Sequence, residues 1–468
     1  MKFFLTTFTI LLFLLMTNST DAQSPKNLAE IWDKTHISNK FPSNVRHRDL
    51  EKYLETLKGL DIDISEIGQS HDKRPIYQIN WGKGAKRVFM WSQMHGDEPT
   101  ATSALIDMFA FLQKNRNRLK WVKELEENLS IRAIPMLNPD GAEVYKRRNS
   151  QGIDINRDAR ALETPEASLL MKIFQEFKPE IGFNLHNQQE LTTVGESTRQ
   201  ASISVLAVRA NPETELSEAQ HRNTRICALI VEALEQFIKG NIASYDDEYT
   251  ENAFGDTFSD MGAPVILIET GGLFEKDEMY LTKLNFVAFL TALRSLADGS
   301  EASADPRAYE DLQENGGGKL HNFIFRNATV VSFEEQEEEP AEKTAESGIE
   351  TKPAESLVKP QKTMVFKPYV ADVAMNRERR RAEITNPPTF VRQIGTLSGH
   401  RGLTEFDVKG YYMIAGNGVV KNGRAGEFLF YKNTRKIDWN AKDLKTKFPP
   451  DAIFSRSQWV VGEKLFVK

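Results

Sequence analysis

RVFMWSQMHGDEPTATSALIDMFAFLQ, residues 87–113, holds a strand, a corner and a helix in one run. Residues 87–94 are mostly apolar and lead directly into His95, which predicts a buried strand ending at that histidine. Pro99 then suits a first helical turn. Leu105, Met108, Phe109 and Leu112 follow at the spacing of one helical face. His95-Gly96-Asp97-Glu98 is the corner between the two elements.

The same alternation continues along the chain. Residues 129–137 predict a strand, stopped by Asn138-Pro139-Asp140-Gly141, a turn signature. Residues 165–177 predict a helix and 180–185 a strand. Residues 217–238 are strongly helical, with Ser217 as N-cap. Residues 263–269 form a continuous apolar run ended by Thr270-Gly271-Gly272, and residues 280–296 close the region as helix. Strands alternating with helices predict an α/β domain around a largely buried sheet.

The chain has 468 residues, enough for two or three domains. Its 60 basic and 66 acidic residues give a net charge of −6, which argues against a general nucleic-acid binder. One cysteine, Cys227, excludes an internal disulfide. Lys2 precedes an apolar stretch over residues 3–16, shorter than the roughly 20 residues a spanning helix needs. Thr20 and Ala22 are small enough for a signal-peptidase site. Residues 1–22 therefore read as a signal peptide and the protein as exported, periplasmic or secreted, without a membrane span after cleavage. No cysteine follows to make a lipoprotein.

Residues 23–305 are the expected catalytic domain and 306–332 its C-terminal extension. Between Glu334 and Glu350 there are eight Glu and one Lys. That composition buries too little apolar surface to offset chain entropy, so residues 333–364 read as an acidic disordered linker. Apolar alternation returns in YYMIAG, EFLFYK, SQWVVG and KLFVK, so residues 365–468 read as a small β-rich module whose role and partner the sequence does not disclose.

Four predicted strands end in residues suited to chemistry: His95, Asn138, His186 and Glu269. Ligands gather beyond the carboxyl ends of strands in α/β sheets. His95 and Glu98 stand three residues apart and can close on one zinc ion, with His186 as the natural third ligand. Two His and one Glu, with a position left for water, are a common catalytic zinc set. KRRNSQGIDINRDAR, residues 146–160, adds arginines whose planar fork suits an oxyanion or a terminal carboxylate.

In this order the residues resemble the zinc carboxypeptidase family, the carboxypeptidase A/B type in its broad sense. The family pattern H-x-x-E, N-P-D-G, R-x-N-x-x-G-x-D-x-N-R, strand-end His, strand-end Glu stands here as His95/Glu98, Asn138 to Gly141, Arg147 to Arg157, His186 and Glu269. The match spans roughly residues 67–296 and does not reach residues 365–468.

The resemblance implies a mixed, mostly buried central sheet flanked by helices. It implies one zinc ion per catalytic domain, held by His95, Glu98 and His186. Glu269 would be general base and acid, and Arg147 would stabilise the oxyanion. Asn156 and Arg157 would grip the substrate's terminal carboxylate, and Asp154 would orient the first histidine. The substrate implied is a peptide or peptide-like chain with a free C-terminal carboxylate. A zinc amidohydrolase acting on cell-wall or γ-glutamyl amides with the same site is the alternative. A non-catalytic binding module would have lost a ligand or the base, and neither is lost.

Departures from the family pattern concern specificity. Tyr245 and Tyr249 bracket the place of the substrate-binding tyrosine, and spacing does not choose between them. Asp97 stands where digestive members often carry Arg, and Asp158 replaces a common Asn. Phe254 to Phe258 is the expected neighbourhood of the specificity pocket, with an apolar lining and simple core packing equally good readings of its phenylalanines.

Overall fold

The computed structural model describes residues 24–209, 215–246, 248–337, 362–416, 420–439, 441, 443–463 and 466. The expected signal peptide, most of the expected linker and most of KLFVK lie outside these residues. The chain divides into two units, the first 1–320 with 380–383, the second 321–379 with 384–468.

The first unit opens with α1 (Pro25–Thr35) and α2 (His47–Lys58). A buried carboxylate fastens this N-terminal segment. Asp107 accepts hydrogen bonds from Trp32 Nε1 at 2.9 Å, the Ile37 and Ser38 amides at 2.8 Å each, and Ser38 Oγ at 2.6 Å. The strands that follow are β1 (Asp63–Gln69), β2 (Pro75–Gly82), β3 (Lys86–Ser92), β4 (Leu129–Ile134) and β5 (Ile181–His186). Further on come β6 (Thr193–Val194), β7 (Ile203–Ala207), β8 (Ile242–Ser244), β9 (Val265–Thr270) and β10 (Asn315–Gly316).

Eight of these strands form one sheet in the order β1-β2-β4-β3-β5-β9-β7-β8, and β6 pairs with β10 in a small ribbon. The centre, β4-β3-β5-β9, is parallel, while β1-β2, β2-β4 and β9-β7 are antiparallel. The sheet is therefore mixed, as expected.

Alternation along the central strands sorts side chains to two faces. Val88 and Met90, Phe183 and Leu185, and Ile266 and Ile268 enter one core. This core is completed by α3 (Thr100–Asn115), α4 (Lys120–Asn128), α7 (Glu218–Ile238) and α9 (Glu278–Asp298). Phe89, Trp91, Val265, Leu267 and Leu206 enter the other, with α6 (Pro165–Phe177) and α8 (Phe254–Asp260). Both faces are covered, which is why the strands read as near-continuous apolar runs.

Local sequence sets the helix starts. Ser217 and Gln220 form a reciprocal capping box at α7, and the Thr164 side chain accepts from the Ala167 amide at α6. The Asn138-Pro139-Asp140-Gly141 segment differs from expectation. It opens a short helix, α5 (Pro139–Val144), because Asn138 caps it by accepting from the Gly141 amide at 2.8 Å and proline occupies the first turn.

The second unit is β-rich. Its sheet runs β13-β12-β11-β15-β16-β17-β18, with β14 also paired to β11. The strands are β11 (Leu320–Glu337), β12 (Lys362–Arg377), β13 (Thr389–Gly395), β14 (Arg401–Asp407), β15 (Tyr411–Ala415), β16 (Phe428–Lys432), β17 (Ala452–Ser455) and β18 (Gln458–Val461). Phe325, Phe406, Phe428, Phe430, Phe454 and Trp459 pack its centre. The domain edges differ from those read in the sequence. Residues 321–332, expected as an extension of the first domain, are strand of the second unit. The ends of the expected linker, 333–337 and 362–364, are also strand, paired with each other.

Candidate active site

Parallel pairing of β3, β5 and β9 brings three chain segments to one end of the sheet. His186 ends β5 and pairs in register with Glu269 on β9. His95 and Glu98 lie on the corner after β3. This corner is packed backbone to backbone on the start of α5. A Cβ on Gly96 would stand 2.0 Å from the Gly141 carbonyl carbon, so only glycine fits. Asn138 Nδ2 donates to the Met94 carbonyl at 3.2 Å and the Arg147 carbonyl at 3.3 Å, joining the corner to the loop that follows.

Gln93 steers the corner. It adopts a left-handed conformation with φ 50°, rare for a residue other than glycine. Its side chain donates to the Gly96 carbonyl at 3.0 Å and accepts from Thr102 Oγ1 at 2.8 Å.

His95, Glu98 and His186 are all buried, and one donor atom from each lies within 4.8 Å of the others. His95 Nδ1 is 3.0 Å from Glu98 Oε1, His186 Nδ1 is 2.7 Å from Glu98 Oε2, and the two Nδ1 atoms are 3.1 Å apart. The Asn187 amide also donates to Glu98 Oε2 at 3.1 Å. On its far side His95 Nε2 donates to Asp154 Oδ1 at 3.0 Å, which leaves Nδ1 as the ring's lone-pair donor. His186 Nε2 is buried without a hydrogen-bond partner among the described residues.

These atoms fit a zinc ion. Two imidazole nitrogens converging on one carboxylate call for a cation between them. Donors about 2.0–2.1 Å from a tetrahedral zinc would be roughly 3.3 Å apart, close to the spacings found. Without the ion, charge redistributes among the three. Burial pushes the His95 pKa down, but Glu98 and Asp154 outweigh it and raise it to about 9. Burial disfavours the Glu98 charge, yet His95 and His186 hold its carboxyl well below the ordinary range. Burial keeps His186 below the usual histidine value. Asp154 is likewise held low, against its burial, by His95 and Arg147.

Arg147 reaches over the same atoms. Its Nε donates to Asp154 Oδ2 at 2.9 Å, and its terminal nitrogen lies 3.3 Å from Glu98 Oε1 and 3.2 Å from His95 Nδ1. A cavity of about 130 Å³ opens beside it, lined by His95, Arg147, Asn156, Arg157, His186, Tyr245 and Glu269 among others. The structure thus brings His95, Glu98, His186, Glu269, Arg147, Asp154, Asn156 and Arg157 together, while Asn138 serves as a helix cap. Asn156 also has a local task, since its Oδ1 accepts from the Phe254 amide at 3.0 Å and ties the start of α8 to this loop.

The two candidate tyrosines differ in position. Tyr245 lines the cavity, and the charge of Glu269, then burial, raises its pKa. Tyr249 instead donates to Asp260 at 2.7 Å and does not line the cavity. Phe254 and Phe258 are core residues: Phe258 stacks on Phe174 with centroids 3.8 Å apart and meets Trp91 edge-on. Their neighbours Ala253, Gly255 and Asp256 line the cavity. Asp158 accepts from the Glu163 and Thr164 amides and the Thr164 hydroxyl, a loop-holding role. Asn184, which the sequence reading passed over, also lines the cavity; the signal was a lone amide inside the apolar run 180–185.

Residues 50–168 match the zinc carboxypeptidase family profile. Carboxypeptidase SOL1 of Arabidopsis thaliana is 34% identical over 119 residues, 24% of this chain and 24% of the relative. Carboxypeptidase E of Caenorhabditis elegans is 27% identical over 165 residues, 29% of this chain and 34% of the relative. The chain thus spans about a quarter to a third of these relatives' own length. A metallo-carboxypeptidase structure from Burkholderia cenocepacia superposes with a TM-score of 0.45 at 16% identity, covering 54% of this chain and 69% of that one.

Proposed function

We propose that this chain, whose residues 50–168 match the zinc carboxypeptidase family profile, is a zinc-dependent metallocarboxypeptidase that removes C-terminal residues from peptides. The observation that carries the reading is the convergence of His95 Nδ1, Glu98 and His186 Nδ1, with Glu269 in register beside His186.

His95, Glu98 and His186 would hold one zinc ion. When bound, zinc supplies a Lewis acid that polarises a carbonyl and lowers the pKa of water. Glu269, 8% exposed at the cavity wall, takes a proton from the attacking water and returns it to the leaving amine. Arg147 donates to the oxyanion that develops on the scissile carbonyl, a contribution typically of about 3–4 kcal/mol. Asp154 fixes both the His95 ring and the Arg147 guanidinium by accepting from each. Asn156 and Arg157 receive the terminal carboxylate, which makes cleavage terminal. Tyr245, which lines the cavity, is the tyrosine placed to contact the substrate.

Export is part of the proposal. The apolar stretch of residues 3–16 with Thr20 and Ala22 behind it supports a cleaved signal. Among the described residues no helix is long and apolar enough to cross a membrane.

End-group analysis of a defined peptide, with and without a chelator, tests the reading. Stepwise loss of C-terminal residues that stops with chelator is the expected result. Intact peptides alongside cleaved cell-wall or γ-glutamyl amides would replace it with the amidohydrolase alternative.

A further inference from the structure

Register across the sheet shows what lies beneath the reacting groups. On the face that carries His186 and Glu269, the residues two positions earlier on β5 and β9 are Asn184 and Leu267, and these two pair with each other. Leu267 pairs in turn with Leu206 on β7, and Asn184 with Trp91 on β3. The row is Trp91, Asn184, Leu267, Leu206: three apolar side chains and one amide. Two residues of strand set it about 6.6–6.8 Å along the sheet from the His186–Glu269 row. Asn184, Leu267, Leu206 and Val208 all line the cavity.

Asn184 is only 3% exposed, and its Oδ1 has no hydrogen-bond partner among the described residues. Burying an unpaired amide oxygen is unfavourable, so an amide in this row calls for a partner. Gly255 of α8 stands beside the amide. A Cβ there would meet the Asn184 Nδ2 at 3.5 Å and Val208 methyls at 3.7 and 4.0 Å, ordinary contact distances. Any side chain longer than alanine at position 255 would project into the space over the amide.

We propose that Asn184 is the specificity-determining residue of this site, and that the cavity takes a C-terminal residue with a neutral carboxamide side chain, glutamine before asparagine. The inference rests on the carboxypeptidase reading. A carboxamide presents both an acceptor and a donor, so it can pair with whichever end of the Asn184 amide is turned to the cavity. An aliphatic side chain fills the Leu206–Val208–Leu267 walls but leaves the Asn184 amide unpaired. A carboxylate side chain offers no donor. The wall acids Asp246, Glu248 and Asp256 disfavour an acidic residue further. They would favour a cationic one, which makes Lys and Arg the decisive comparison. Glutamine is preferred over asparagine because the amide stands a full two-residue step below the reacting groups.

The test uses N-acyl dipeptides identical except for a C-terminal Gln, Asn, Leu, Glu, Lys or Arg, assayed with the zinc-loaded full chain. Gln should exceed Leu in kcat/KM by about ten- to a hundred-fold, the discrimination expected of a site whose polar group the wrong substrate leaves unpaired. Asn184→Leu should reverse the order of Gln and Leu while bound zinc, measured by elemental analysis, stays at one per chain. Should that variant not fold, Gly255→Val provides the second arm: it should lose Gln and Leu alike and favour small C-terminal residues. A preference for Lys or Arg that survives Asn184→Leu and is abolished by Asp256→Asn overturns the inference but leaves the carboxypeptidase reading standing. Cleavage of no dipeptide by zinc-loaded protein removes both.

Discussion

Asp154 accepts a hydrogen bond from His95 Nε2 at 3.0 Å, although 59 residues of chain separate the two. Its other oxygen accepts from Arg147 Nε at 2.9 Å, so one carboxylate fixes the ring that faces the proposed zinc site and the guanidinium above it. Asp154→Ala should therefore weaken zinc affinity by about 10–100-fold, the usual effect of removing such a partner. Competition with a chromophoric chelator measures it. Asp154→Asn should recover part of the affinity, since an amide oxygen still accepts from Nε2. Unchanged affinity in both variants would mean that His95 is oriented by its packing alone.

The ligand set and the base should separate cleanly. His186→Ala removes one of three donors, and elemental analysis should find most of the zinc gone. Glu269→Gln keeps all three donors and should keep the metal, while peptide hydrolysis falls by at least the roughly 10²-fold that general-base catalysis supplies. Zinc loss in Glu269→Gln would show that this carboxylate belongs to the metal site instead.

How far these residues were legible depended on where they sit. His95, Glu98, His186 and Glu269 stand at or just after apolar strands, where periodicity announces them, and the ordered motif joins them without any geometry. Tyr245 and Tyr249 lie on a loop, where no periodicity says which ring turns inward. Phe254 and Phe258 were ambiguous because a core ring and a pocket ring look alike in sequence; the stack of Phe258 on Phe174 decides it. The β11–β12 pairing escaped because it joins residues on either side of an acidic stretch, a contact with no local signal.

Gly96 tests the packing that builds the corner. A methyl there would fall 2.0 Å from the Gly141 carbonyl carbon, and backbone cannot yield as a flexible side chain does. Gly96→Ala should destabilise the fold by about 1–3 kcal/mol or more and weaken zinc binding, because His95 and Glu98 flank the displaced residue. Thermal unfolding of the metal-free and zinc-loaded forms separates the two effects. A variant with wild-type Tm and affinity would show the corner to be looser than its packing implies.

Asp140 gives the acid limb of stability. Its carboxylate accepts from Ser70 Oγ at 2.7 Å, Arg74 at 2.6 Å, the Asp72 amide at 2.9 Å and Ser150 Oγ at 3.1 Å. Burial alone would raise its pKa, but these donors hold it below the ordinary value. The folded pKa is thus below the unfolded one, about 3.9. The folded state binds fewer protons, so the contribution is present above the unfolded pKa and is lost as pH falls through the folded one. Asp140→Asn should lower stability by about 1–3 kcal/mol at neutral pH. The gap to wild type should stay constant above about pH 5 and narrow below about pH 4. Denaturant unfolding across that range checks it, and a gap that widens toward acid would refute the assignment.

On the proposed reading, Arg157 sets what kind of hydrolase this is. The three proposed ligands and Glu269 would cleave an amide anywhere in a chain; Asn156 and Arg157 are the groups proposed to ask for a free terminal carboxylate. Asn156 Oδ1 accepts from the Phe254 amide, which leaves its neutral Nδ2 to donate to a carboxylate, so the charged part of recognition falls to Arg157, which lines the cavity beside it. Amidating the substrate's C-terminus should therefore lower kcat/KM by the equivalent of about 2–5 kcal/mol. In Arg157→Ala the same amidation should matter far less, because the discriminating partner is already gone. Arg147→Ala should slow free-acid and amidated substrates alike, since the oxyanion forms in both. The ratio of the two substrates, measured in wild type and in both variants, isolates Arg157 from any general loss of activity. Equal rates on free and amidated peptides with the unmutated enzyme would rule out terminal cleavage, and a zinc amidase with a different anchor would take its place.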